Sequence, residues 1–250
     1  LAPVATYGVP MELRPLIETL NGLLARIQQA IVREQRFTSD AAHELKTPLT
    51  AIKTHLQVAG RVEGEAARQS LAYAEEGVGR LARILDQLLM LARVEGRVQF
   101  EDGEPSRVAD VVELALRDTG VDPGCFALPE AWPEVDLALP RELAVTALRN
   151  LVDNALRHGG EGAPVTVTAR LDEAAGELTL RVRDRGPGVD DKALAQMSQR
   201  FWRASKQRGS GLGLAIVMAI AERFAGRLEF ARPDGEGLEA CLTVPVKAGR

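Results

Sequence analysis

The sequence predicts an α+β chain: a helical hairpin forming a dimeric four-helix bundle, followed by an α/β two-layer sandwich. Three observations predict it. Leu13, Leu16, Leu20, Leu23, Ile27 and Ala30 alternate spacings of three and four, as do Leu71, Ala74, Val78, Leu81, Leu85, Leu88 and Ala92; this is the seam of a coiled coil. The two runs are separated by Gly60-Arg61-Val62-Glu63-Gly64, whose glycines supply a turn that folds the helices antiparallel. Beyond Gly96, helical periods alternate with short β-branched runs, which places helices on a sheet.

Taken in order, residues 1 to 10 contain Pro3, Gly8 and Pro10 and read as irregular or linker. The first helix runs from Met11 to about Val58 and the second ends at Gly96. One hairpin has too little company to bury two apolar seams, so a second copy completing a four-helix bundle is expected. The alternative is a monomeric hairpin lying on the C-terminal domain. Val98 to Phe100 reads as the start of a strand, and Ser106 as the N-cap of a helix through Arg117. Residues 119 to 140, with Pro123, Gly124, Pro129, Pro133 and Pro140, read as turns and short extended pieces. A helix from Arg141 to Arg157 stops at Gly159-Gly160. Strands are predicted at 165–168, 178–182, 227–231 and 240–244. A glycine loop at 184–188 precedes a helical region, and a second glycine cluster at 209–213 opens a helix to Phe224.

The 250 residues leave room for one large or two modest domains, and 46 % hydrophobic content with 26 % charged is ordinary for a soluble globular chain. A net charge of −4 and a pI near 5.6 argue against nucleic-acid binding, which calls for a basic surplus. Cys125 and Cys241 stand far apart without further ligands nearby, so neither a disulfide framework nor a zinc site is expected. No stretch approaches the roughly 18 uninterrupted apolar residues of a membrane span, and no membrane contact is expected of this chain. It begins at Leu1 rather than Met, as expected for a cut-down or processed piece.

Within the first helix, Phe37, Ala41, Leu45 and Leu49 form one apolar stripe, while His43 and Thr47 share a different face. Pro48 offers no N–H to the Glu44 carbonyl and is expected to bend the helix there. A neutral imidazole near its pKa is a nucleophile able to carry a phosphoryl group, and Glu44 is placed to take the ring proton or orient the ring. The bland alternative is an exposed histidine on a charged helix face.

Three further stretches carry chemistry. In Asn150-Leu151-Val152-Asp153-Asn154-Ala155-Leu156-Arg157-His158, two amides one turn apart suit a hard cation holding phosphate oxygens; capping or surface packing is the alternative. In Asp184-Arg185-Gly186-Pro187-Gly188, an acceptor-only carboxylate precedes glycines that allow a ligand close to the backbone, although a β-turn accounts for the same residues. In Gly209-Ser210-Gly211-Leu212-Gly213-Leu214, alternate glycines open a helix whose free N–H groups attract phosphate. That last pattern is neither a Walker loop nor a dinucleotide fingerprint.

His43-Glu44-Leu45-Lys46-Thr47-Pro48-Leu49 closely resembles the phosphoacceptor box of two-component sensor histidine kinases, and the three later stretches resemble the ATP-binding domain those kinases share with DNA gyrase. The resemblance covers residues 11 to 246. It implies His43 as the phosphorylated residue, Glu44 as the assisting base and Thr47 as the residue that positions water for dephosphorylation. It further implies Asn154 as the Mg2+ ligand supported by Asn150, Arg157 reaching phosphate and His158 lining the adenine side. Asp184 would hold the adenine amino group of ATP, Gly186 and Gly188 would shape that wall, and Gly209, Gly211 and Gly213 would form a phosphate lid. Arg200-Phe201-Trp202-Arg203 resembles the phenylalanine box before the lid, with Arg203 meeting the terminal phosphate. Met197-Ser198-Gln199 departs from the aromatic and acid usual just upstream.

The function implied is autophosphorylation of His43 from ATP, transfer to an aspartate of a response regulator, and dephosphorylation of that regulator, by a homodimer. The domains implied are a membrane-proximal linker and signalling helix at 1–34, a dimerisation and phosphotransfer domain at 35–97 and an ATP-binding domain at 98–250. The chain is then the cytoplasmic portion of an inner-membrane protein. Two rival classes use the same residues. A chaperone- or gyrase-like ATPase releases phosphate to water without His43, and a coiled-coil scaffold binds partners without turnover.

Overall fold

The computed structural model describes residues 10, 13–96, 100, 105–160, 162–190, 193–194, 197, 211–233 and 237–247, with backbone alone at 29, 30, 33, 34, 36, 37 and 40. It forms two compact units, one up to Arg83 and one from Ile84.

The first unit is a helical hairpin of α1 (Arg14–Ala59) and the beginning of α2 (Glu65–Glu95). Pro15 sits in the first turn of α1, where a missing N–H costs nothing. The helix is assigned without a break through Pro48, which is buried. At the turn, Gly64 takes a φ of +67°, a conformation that glycine adopts without steric cost. The two helices meet where side chains are smallest. A Cβ on Gly77 would lie 2.6 Å from Ile52 Cγ1, so it is the absence of that atom that lets buried Ile52 pack down beside Ala74. The rings of His55 and Tyr73 meet nearby, tilted by 43° with centres 5.2 Å apart. Much of the remaining seam is open: Leu16 is 66 % exposed, Leu49 58 % and Val78 54 %.

The second unit begins with the last turns of α2, whose Ile84, Leu88, Leu91 and Val94 are buried. It continues with α3 (Val108–Arg117), β1 (Phe126–Ala127), α4 (Arg141–His158), β2 (Val165–Asp172), β3 (Glu177–Arg183), α5 (Leu212–Arg223), β4 (Arg227–Ala231) and β5 (Glu239–Pro245). The sheet order is β1-β2-β3-β5-β4, parallel at β1–β2 and antiparallel elsewhere. Along β3, Leu178, Leu180 and Val182 are buried while Thr179, Arg181 and Arg183 are not, the period-two pattern of a sheet covered on one side. The covering layer is α4 and α5, with α3 against α4. Leu143, Leu148, Leu151, Ile216 and Ile220 fill the space between.

Arg223, at the end of α5, caps α2: its guanidinium donates to the Val94 carbonyl at 2.9 Å and the Arg93 carbonyl at 3.3 Å. It also lies 5.0 Å from the Phe100 ring centre, as Arg93 does, so two cations share one aromatic ring.

One expectation needs correction. Ser106 is not a helix cap; it is buried, and its hydroxyl donates to the Leu139 carbonyl at 2.6 Å, fastening the entry of α3 to the segment before α4. The helix N-cap is Arg107, with no side-chain cap bond. The stretch 119–140 is made of turns and short extended pieces, as expected: it contains the two-residue edge strand β1, entered by a 3-10 turn at Pro123–Cys125 where Asp122 accepts from the Gly124 N–H at 2.7 Å. Of the strand expected at Val98 to Phe100, residues 98 and 99 lie outside the described residues, and Phe100 is not in a strand.

Candidate functional site

On α1, His43 is exposed and Glu44 half-buried. Thr47, one turn on and also exposed, donates its hydroxyl to the His43 carbonyl at 3.3 Å. Thr50 and Thr54 bond back in the same way, to Lys46 and Thr50, each at 2.9 Å. Such bonds satisfy the hydroxyl hydrogen locally and leave the oxygen's lone pairs available. The histidine ring is therefore open to solvent on a helix that orders the residues one turn beyond it.

In the second unit, three stretches far apart in sequence converge. Asn150 is buried, and its side-chain N–H donates to the Thr146 carbonyl at 2.8 Å. This fixes the amide so that its oxygen faces the start of α5, where a Cβ on Gly213 would come within 2.8 Å of it. Asn154, one turn later and half-buried, stands on the same helix with no recorded side-chain hydrogen bond among the described residues. Arg157 and His158 end the helix and are exposed.

The loop after β3 closes against that helix end. A Cβ on Gly186 would collide with the His158 carbonyl, and one on Gly160 would come within 2.9 Å of the Arg185 carbonyl oxygen. Only glycine allows so close an approach. Asp184 is 3 % exposed; its Oδ1 accepts from the Gly186 N–H at 2.8 Å and the Leu238 N–H at 3.2 Å. No protein donor to Oδ2 is recorded among the described residues, so one carboxylate oxygen is fixed and the other remains an acceptor. Gly188, with φ +69°, packs on Gly237, with φ +71°.

At the third stretch, Gly211 is the N-cap of α5 with a φ of +67° and no side-chain cap bond. That helix start lies against the Asn150 amide, whose oxygen a Cβ on Gly213 would meet. The acceptor at Asp184, the amides on α4 and the helix N-terminus form a set suited to a nucleotide: an adenine partner, cation ligands and a phosphate cradle. Arg203 and Gly209 lie outside the described residues, as do Ser198, Gln199 and Arg200 to Trp202; Met197 is buried. No group of three or more His, Cys, Asp or Glu able to hold a metal occurs among the described residues.

Two participants were not picked out from sequence. Gly237 and Leu238 close the wall around Asp184, and the glycines at 235 and 237 just before the last strand are the signal that could have found them. Asp153 is held above the usual carboxylate range by burial, partly opposed by Arg157 and Arg149.

Residues 33–97 match the His Kinase A (phospho-acceptor) domain, and residues 140–248 match the Histidine kinase-, DNA gyrase B-, and HSP90-like ATPase family. The two matches together take in the His43 box and the nucleotide-type wall. The chain belongs to the two-component sensor histidine kinases. Among its family relatives it is 38 % identical over 251 residues to Sensor protein QseC of Escherichia coli (strain K12), covering 95 % of this chain and 54 % of the relative. It is 36 % identical over 259 residues to Sensor protein kinase PmrB of Pseudomonas aeruginosa, covering 98 % and 52 %. It thus spans about half the length of these curated relatives. Its fold is that of the Acinetobacter baumannii histidine kinase AdeS (TM-score 0.64, 22 % identity, 82 % of this chain and 98 % of that one). ShkA, solved in complex with AMPPNP, is similar at a TM-score of 0.61 and 22 % identity, over 86 % of this chain and 46 % of that one. Among the described residues no helix of this histidine kinase chain is long and apolar enough to cross a membrane.

Proposed function

We propose that the chain is an ATP-dependent protein-histidine kinase that phosphorylates His43, passes the phosphoryl group to an aspartate of a response regulator, and dephosphorylates that regulator. The observation that carries the reading is the presence in one chain of an exposed His43 in the phosphoacceptor match and a wall around Asp184 with one carboxylate oxygen left to accept.

An unprotonated imidazole nitrogen of His43 forms the bond to the γ-phosphorus while the bond to the β-phosphate oxygen breaks, and ADP leaves with the electron pair. The proton on the other ring nitrogen passes to Glu44. Asp184 accepts from the adenine amino group, with Gly186, Gly188 and His158 shaping that side. Asn154 would hold the metal, with Asn150 bracing it; Arg157, Gly209, Gly211 and Gly213 would surround the phosphates, and Arg203 would meet the terminal one. Magnesium, when bound, offsets charge on the phosphate oxygens. Thr47 turns its hydroxyl hydrogen to the His43 carbonyl, which leaves lone pairs to orient a water in the dephosphorylation.

The working unit is a homodimer, supported by the open seam of the hairpin. Residues 1–34 form the linker and signalling helix, 35–97 the dimerisation and phosphotransfer domain, and 98–250 the catalytic domain of the cytoplasmic portion of an inner-membrane sensor. Incubating the chain with labelled ATP and magnesium tests the reading: protein-bound phosphate is expected, and Asn154→Ala and Asp184→Ala should each lose it. Label retained at the wild-type level in both variants would overturn the assigned nucleotide site.

A further inference from the structure

The face of the sheet turned away from α4 and α5 carries a second polar cavity. Thr166 and Thr168 of β2, Arg181 and Arg183 of β3, Arg185 just beyond, and Glu239 of β5 line a groove of about 170 Å³. The register brings them together: Thr166 pairs with Arg183, Thr168 with Arg181, and Arg183 with Glu239. The groove is separate from the wall described above because side chains alternate across the strand end. Asp184 and Gly186 are buried on the helical side, whereas Arg183 and Arg185 are not.

The groove itself holds three arginines against one carboxylate, Glu239. Glu177 and Glu229 are taken by Arg227, at 2.8 Å and 3.6 Å. Glu239 accepts from the Cys241 thiol at 3.6 Å, and burial holds that thiol protonated, pushed up to about 11. Among the described residues Arg181 has no carboxylate within ion-pairing distance, and its buried Nε–H, like that of Arg183, has no hydrogen-bond acceptor there. Leaving such a donor unmet costs more than an ordinary hydrogen bond returns. Arg183 adds a guanidinium anchored to the Pro233 carbonyl at 3.4 Å, and the two threonines add hydroxyl donors.

We propose that this groove binds a phosphate dianion, either free or as the end of a small phosphomonoester. Guanidinium forks match phosphate oxygens two at a time, and the donors here outnumber what a carboxylate accepts. The volume is well below the roughly 300–1,000 Å³ of pockets for drug-sized ligands, so one oxyanion group fits and a whole nucleotide does not. The site does not depend on the kinase reading, since none of its residues belongs to the assigned machinery.

Residue-resolved NMR titration of the full chain with inorganic phosphate, glycerol 3-phosphate and acetate at constant ionic strength tests it. Saturable shifts at Thr166, Thr168 and Arg181 are expected with phosphate, weakened at least ten-fold by Arg181→Gln and less than two-fold by Arg170→Gln on the same face. Thr168→Val, which changes no charge, should also weaken binding and serves if Arg181→Gln unfolds. Stronger binding of glycerol 3-phosphate marks an esterified ligand and stronger binding of phosphate the free ion; either upholds the site. Shifts that rise linearly with salt, that survive Arg181→Gln, or that acetate produces with equal affinity would overturn it.

Discussion

Asp184 and Leu238 hold each other twice: the Leu238 N–H donates to Asp184 Oδ1 at 3.2 Å, and the Asp184 N–H donates to the Leu238 carbonyl at 3.0 Å. One oxygen of the carboxylate is therefore structural, and the other is left for the ligand. Asp184→Asn separates the two roles. The amide keeps an oxygen for the Gly186 and Leu238 donors but presents an NH2 where an adenine amino group should donate. Unfolding free energy should fall by no more than about 1 kcal/mol. Nucleotide affinity should fall by roughly 10- to 100-fold, the range of two opposed buried donors. Calorimetric titration with an ATP analogue, beside denaturant unfolding, checks both.

The same pair shows where sequence reading stops. The long helices were legible because leucine spacing and glycine punctuation are local signals, and α1, α2 and α4 end within a few residues of the expected positions. Strands β3, β4 and β5 were legible from alternation. The role of Ser106 was not, because its partner Leu139 is remote and a serine before an apolar run reads equally well as a cap. Strand β1 has only Phe126 and Ala127, too few for any period to register. Gly237 matters because its missing Cβ makes room for the Asp184 carbonyl, and only the folded register of β3 on β5 brings those residues together. The Asp184 loop was recognisable by composition, but its closure was not.

The open seam of the hairpin gives a second prediction. Leu56 is 50 % exposed and Val78 54 % exposed, and a second copy is the expected cover. Val78→Glu should raise the dimer dissociation constant at least about 100-fold, roughly 2.7 kcal/mol. Sedimentation equilibrium checks this. A wild-type chain that is monomeric throughout, or a variant as dimeric as wild type, would contradict it.

The two thiols should react differently. Cys125 is exposed, whereas burial, reinforced by Glu239, pushes the Cys241 thiol from 9.0 up to about 11. At mildly alkaline pH the thiolate fraction of Cys241 falls about 100-fold, and the greater nucleophilicity of a more basic thiolate recovers only part of that. Iodoacetamide should therefore alkylate Cys241 at least about ten-fold more slowly than Cys125, a ratio that peptide mass spectrometry measures directly.

Asp153 sets a pH dependence of stability. Burial raises its carboxyl above 3.8, with Arg157 and Arg149 pulling the other way. The native state then binds the proton more tightly than the unfolded chain, so this contribution is fully present below the ordinary value and is lost as pH rises through the folded one. Asp153→Asn removes it. Relative to wild type the variant should be more stable at about pH 7 than at about pH 4.5, as read by urea unfolding; parallel curves would show that the carboxyl does not titrate abnormally.

The central claim is a phosphoryl group carried on His43. The direct measurement is the chemical stability of the label after incubation with γ-labelled ATP and magnesium, in wild type and in His43→Gln. A phosphoramidate on His43 predicts label that is lost in acid, kept in base and absent from His43→Gln. Label that survives acid, or that persists in His43→Gln, or ATP hydrolysis with no label on the protein, would contradict the account.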